Sequence, residues 1–191
     1  MRGVSAHSMK QIFVILLFLS TIGYGQIASE RNWPISIQKE FNKLDHGKND
    51  TILVYYSWVG PWSSLPDSCK HISSIWILSS HQNKYLVKQI SCLPLSNNGS
   101  TEISPIPLKY FASHLNDFRR NKEFLKNLKI FITSSDQNIE YLILMTSKTK
   151  VILNLSMDVI NNKEWKKQEW SKSIISAFDT TKYYIYKKNA R

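Results

Sequence analysis

Glycine and proline are scarce in this chain, six of each in 191 residues. That scarcity excludes a collagen-like repeat and a low-complexity linker protein. Acidic side chains are also few, 14 Asp and Glu against 25 Lys and Arg. No G-x-x-x-x-G-K-[ST] loop, H-E-x-x-H pair, EF-hand loop or G-x-S-x-G elbow occurs. The chemistries those motifs support therefore have no local signal here. The five histidines are His7, His46, His71, His81 and His114, and no two lie three or four residues apart. A preformed metal pair on a helix is not signalled, and neither is a cofactor.

What the chain has in quantity is aromatic area: 6 Trp, 9 Tyr and 8 Phe, within a hydrophobic share of 42%. Large rings bury much surface per residue, so one packed domain is expected. The first 25 residues read as an export signal. Arg2 and Lys10 supply positive charge, and Ile12 to Leu19 is an unbroken apolar run. Gly23 and Gly25 then place small residues at the −3 and −1 positions before Gln26. The signal reads better from Met9. The run is shorter than the roughly 20 apolar residues that span a bilayer. The competing reading is an uncleaved anchor. We expect a signal peptide over 1–25, a single globular domain over 26–191, and a secreted or periplasmic address.

The formal charge is +11, and losing Arg2 and Lys10 leaves 23 basic residues against 14 acidic ones, or +9. That balance favours acidic partners: anionic lipid, a polyanionic glycan, an acidic protein or envelope component, or nucleic acid. An exported protein rarely meets genomic DNA, so nucleic acid is not expected. The local basic groupings, such as Arg119-Arg120 with Lys122, read first as solvated faces.

The organising stretch runs from Ile52 to Cys92. Thr51 to Ser57 is β-branched and aromatic, and it is apolar nearly throughout, as a strand in the middle of a sheet would be. Trp58-Val59-Gly60-Pro61-Trp62 breaks it. Ser74 to Ser79 and Lys84 to Ile90 read as two hairpin strands joined by Ser80 to Asn83, or by a shorter turn if the strands extend. Cys69 precedes the hairpin and Cys92 follows it, so folding the hairpin brings the two together. In an exported chain, one disulfide is expected. The rival reading is a small hydrolase or thiol enzyme with Cys69 as nucleophile and His71 as base.

Elsewhere the spacing predicts a short helix from Ile37 to Asp45 with Ser36 as N-cap and His46 at its end. Leu93 to Pro107 reads as a long exposed loop. Leu108, Phe111, Leu115 and Phe118 predict a helix from Leu108 to Arg119, with a second from Asn121 to Leu128. Lys129 to Thr133 reads as a short strand, and Asn138 to Thr146 with Lys150 to Ser156 as a hairpin. A helix is expected from Asn162 to Phe178, then a turn, then an edge strand from Lys182 to Lys187. Asn49, Asn98 and Asn154 match the N-glycosylation pattern.

The order of elements implies an α+β fold: a mostly antiparallel sheet of five to seven strands with helices packed on one face. For function we expect a non-enzymatic binding module, with Trp58 and Trp62 as an aromatic bracket around Gly-Pro. Such a bracket anchors an interface or stacks on a sugar ring. The plainer alternative is that both rings lie in the core, where Trp is usually buried.

Overall fold

The structure is a computed structural model that describes residues 33–42, 51–60, 64–93, 99–128, 138–146 and 149–189. The chain divides into two compact units, Met1–Trp33 and Pro34–Arg191. Every described helix and strand belongs to the second. Along the chain these are α1 (Ile35–Asn42), β1 (Thr51–Trp58), a 3-10 turn (Asp67–Cys69), β2 (Ser74–His81), β3 (Lys84–Ser91) and β4 (Ser100–Glu102). There follow α2 (Ile106–Ser113), α3 (Leu115–Leu128), β5 (Ile139–Thr146), β6 (Lys150–Leu155), α4 (Met157–Asn161), α5 (Lys163–Lys166) and α6 (Trp170–Asn189).

The six strands form one antiparallel sheet in the order β4-β3-β2-β1-β5-β6. The expected α+β architecture is present. The apolar strand β1 lies between β2 and β5, and Ile52 to Tyr56 are all buried. Buried residues on both faces explain why that stretch carries no polar alternation. Leu53 and Tyr55 face a cluster built from Leu78, Leu142 and the helical residues Phe118, Trp165 and Phe178. The intervening Ile52, Val54 and Tyr56 point the other way. Helix α1 packs against β3 with Ile37 and Phe41 buried.

The β2–β3 hairpin closes more tightly than a four-residue loop. Its strands extend to His81 and Lys84, and Gln82 and Asn83 both take positive φ, 48° and 63°. Two left-handed residues in succession match the right-handed twist of the strands. The predicted loop from Leu93 to Pro107 contains a strand: Ser100–Glu102 pairs with Lys88–Leu86. The open edge of β3 offers unpaired backbone groups, and this short exposed segment takes them up. The Ile103 amide then donates to the Tyr85 carbonyl at 2.8 Å, and Ile103 itself is buried.

Three helix expectations are corrected. Helix α1 starts at Ile35, with the Pro34 carbonyl accepting from Gln38, so Ser36 lies within the first turn and is not the cap. Its predicted end, 43–45, lies outside the described residues, as do His46 and the predicted strand Lys129 to Thr133. The helix break falls at His114 and not before Asn121. His114 leaves helical geometry (φ −112°, ψ 19°), and the Ser113 hydroxyl donates to the Tyr110 carbonyl at 2.8 Å. Side-chain bonds of that kind compete with the helix ladder. Asn121 is buried inside α3 and accepts the Trp165 indole N–H at 2.8 Å.

The third correction is the largest. Asp179 to Thr181 is no turn and Lys182 to Lys187 is no strand; both lie within the 20-residue helix α6. Ile174, Ala177, Phe178, Thr181 and Ile185 are buried at helical spacing. The Thr181 hydroxyl is satisfied within the helix by donating to the Ala177 carbonyl at 2.7 Å. Packing of that stripe overrides the β propensity of Tyr183-Tyr184-Ile185-Tyr186. The predicted start at Asn162 is occupied by two short helices, each with a side-chain cap: Ser156 for α4 and Asn162 for α5. Ser156 is buried in that role, so the Asn154 glycosylation pattern sits in packed structure.

Candidate functional site at the disulfide corner

Strand β1 ends on Trp58, and the chain returns to the sheet at Ser74. Between them, the Val59 N–H donates to the His71 carbonyl at 2.9 Å, which brings the two sides of the loop together. The 3-10 turn ends with Lys70 and His71 both in the left-handed region, φ 45° and 66°. Neither residue is glycine, so this backbone is held against its own preference. The restraint is close by. Cys69 is bonded to Cys92, with Cα atoms 5.5 Å apart across 23 residues. The Cys92 N–H donates to the Ser73 carbonyl at 2.9 Å, and the Ser91 hydroxyl donates to the same oxygen at 3.1 Å.

This arrangement places Trp58 against His71, with ring centres 5.2 Å apart and planes tilted by 48°. Both side chains are half-buried. The His71 Nδ1 atom is buried and has no hydrogen-bond partner. Trp58 is thus supported from one side by a ring and a fixed backbone. Trp62, its proposed companion, lies outside the described residues.

The corner does not provide a thiolate nucleophile. Cys69 is fully buried, and both sulfurs are used by the disulfide. A Cys-His pair needs a thiolate within reach of its base. The described histidines are not gathered either. His71 sits beyond the end of β1, His81 ends β2 at the opposite edge of the strand pair, and His114 lies between α2 and α3. His114 stacks on Tyr110 at 4.1 Å, and its Nδ1 lies 2.9 Å from the Tyr110 carbonyl, which is a structural role. Among the described residues no group of three His, Cys, Asp or Glu side chains converges as a metal site.

A second polar cluster escaped sequence reasoning altogether. The Tyr55 hydroxyl donates to Glu140 Oε1 at 2.9 Å, and the Lys182 ammonium donates to both Glu140 oxygens at 3.0 and 3.2 Å. Burial, and then the Glu140 charge, hold the Tyr55 hydroxyl far above the usual phenol range. Tyr55 therefore stays a donor, and Glu140 is engaged by two partners. The cluster ties β1 and β5 to α6. Its members are 85 and 42 residues apart in the chain, so no local pattern announces it. The one hint is a hydroxyl-bearing ring inside an otherwise apolar strand.

Comparison of the chain with protein-family models, with curated proteins and with solved structures finds no match.

Proposed function

We propose that this chain is an exported, non-enzymatic binding module of the cell envelope or the extracellular space, and that the loop from Trp58 to Trp62 makes the contact. The observation that carries the reading is the disulfide beside Trp58. Such bonds persist in oxidising compartments, in keeping with the signal-like first 25 residues. The bond also anchors the loop that supports the Trp58 ring, and a pre-ordered aromatic loses little entropy on binding. The partner is an acidic protein or envelope component. A glycan is the second reading, favoured by a half-exposed Trp ring held at a fixed tilt against His71.

The test compares the native chain with Trp58→Ala. Capture of a partner from envelope extract should be lost, while the melting temperature falls by only a few degrees. The ring contact with His71 is worth about 0.5–1.5 kcal/mol. Collapse of the fold in this variant would instead make Trp58 a core residue and end the proposal. Tryptophan fluorescence against acidic and neutral polysaccharides separates the glycan reading, which a flat response throughout would remove.

A further inference from the structure

The excess of basic charge is not spread evenly. On the helices α3 and α6, which pack along each other, Arg119, Arg120, Lys122, Lys126, Lys172 and Lys187 are exposed. The exposed acids on those two helices are Glu123 and Asp179 alone. The same layer carries exposed apolar area. Seven large hydrophobic side chains are exposed among the described residues, and three of them are on α6: Ile175 at 37%, Tyr183 at 51% and Tyr186 at 52%. At helical spacing, Lys172, Ile175, Asp179 and Tyr183 fall within one outward stripe of about 100°, while the half-exposed Tyr186 ring lies edge-on to Trp76 of β2, 6.2 Å between centres. The opposite stripe of α6 is the one buried in the core.

We propose that the outer face of α6, with the basic residues of α3 beside it, docks the protein on an anionic lipid surface. Two features choose this occupant. The charge is complementary to acidic headgroups, whose field attracts each nearby Lys or Arg by about 1 kcal/mol. The exposed tyrosines and Ile175 favour a boundary that is polar on one side and apolar on the other. A soluble polyanion, solvated all round, has no use for that apolar area. Among the described residues no helix is long and apolar enough to cross a membrane, so the contact is at the surface. Lys187 already lies over the Tyr183 ring, 4.9 Å from its centre, and donates to its hydroxyl at 2.6 Å, which groups charge and ring on one spot. This inference goes beyond the Trp58 reading, and its test leaves that loop intact.

The experiment is co-sedimentation of the full chain with vesicles of phosphatidylcholine alone and of phosphatidylcholine with an equal part of phosphatidylglycerol. Binding should appear with the anionic vesicles only, and weaken as salt is raised. Lys172→Glu with Lys187→Glu should lower it about tenfold or more. Ile175→Ser with Tyr183→Ser should lower it at low and high salt alike. Circular dichroism checks that each variant is folded, and Lys84→Glu, a charge reversal at the β2–β3 turn, serves as a folded control that should bind almost normally. Equal binding to both vesicle types, no binding to either, or variants indistinguishable from the native chain would each overturn the proposal. So would binding to soluble dextran sulfate with none to vesicles.

Discussion

Two regions hold an irregular part of this chain to the same sheet, and they do so by different physics. At the corner beyond β1, a covalent bond between Cys69 and Cys92 holds a loop with two left-handed residues. At the other region, α6 lies on the helix side of the sheet through Ile174, Ala177, Phe178 and Ile185, with Tyr55, Glu140 and Lys182 closing one part of the seam. The corner adds a crosslink to the burial of Ile72 and Cys69. The seam rests on a longer apolar stripe, and its polar groups satisfy one another.

The comparison can be broken most severely from the seam. Phe178 is fully buried, and Phe178→Ala should destabilise by about 3–5 kcal/mol, through lost transfer energy and a residual cavity. Urea unfolding followed by circular dichroism checks this, and a loss below about 1 kcal/mol would mean that α6 is not held by its apolar stripe. Next is the corner. Removing the bond with Cys69→Ala and Cys92→Ala together should cost roughly 3 kcal/mol, since it closes a loop of 23 residues. The damage should be local: hydrogen exchange should rise first around Lys70 to Ser73, and only later in α6. Uniform acceleration across the chain would show that corner and seam unfold as one unit.

The polar part of the seam sharpens the contrast through pH. The Tyr55 proton is held more tightly in the folded state than in the unfolded chain, where a phenol ionises near 10. A pKa raised on folding gives stabilisation that is complete below the unfolded value and is lost as pH rises above it. Stability should therefore be insensitive to this group through neutral pH and fall beyond about pH 10. Tyr55→Phe should make that fall shallower, and parallel urea titrations of both proteins above that pH decide it. Tyr141, raised by burial alone and stacked on Tyr56 at 4.8 Å, adds to the same alkaline loss in both proteins. The smallest effect is Trp58→Ala, within about 1.5 kcal/mol, because the ring is supported by the corner and does not support it.

Much of the corner was legible from residue order. Two hairpin strands bracketed by the chain's two cysteines leave little choice about which sulfurs meet. The apolar run Ile52 to Tyr56 placed β1 inside the sheet for the same reason: without alternation, both faces must be covered. The turn at Gln82-Asn83 and the strand Ser100–Glu102 were missed or left loose, because backbone pairing, with no side-chain pattern, determines both. The seam was legible as far as Phe178, where the helix and its buried residues Ile174, Ala177 and Phe178 follow from spacing, but not beyond it. Lys182 to Lys187 reads as a strand from its tyrosines, yet Ile185 is buried and Tyr184 packs against the core at the spacing of a helix continuing from Phe178. Of the proposed site, the sequence singled out Trp58 and Cys69 with Cys92, whereas the support from His71 became visible only with the left-handed turn in place.

By itself the amino-acid order decided which stretches are apolar on one side or on both, which strands pair as hairpins, and which cysteines lie close enough to join. These are properties of neighbours along the chain, governed by sterics, side-chain alternation and short loop closure. Tertiary structure alone decided that the last segment is a helix, that the break falls at His114, and that Tyr55 and Lys182 meet on the Glu140 carboxylate. Those outcomes depend on area buried between elements far apart in sequence, and local preferences of a few tenths of a kcal/mol per residue are too weak to resist it.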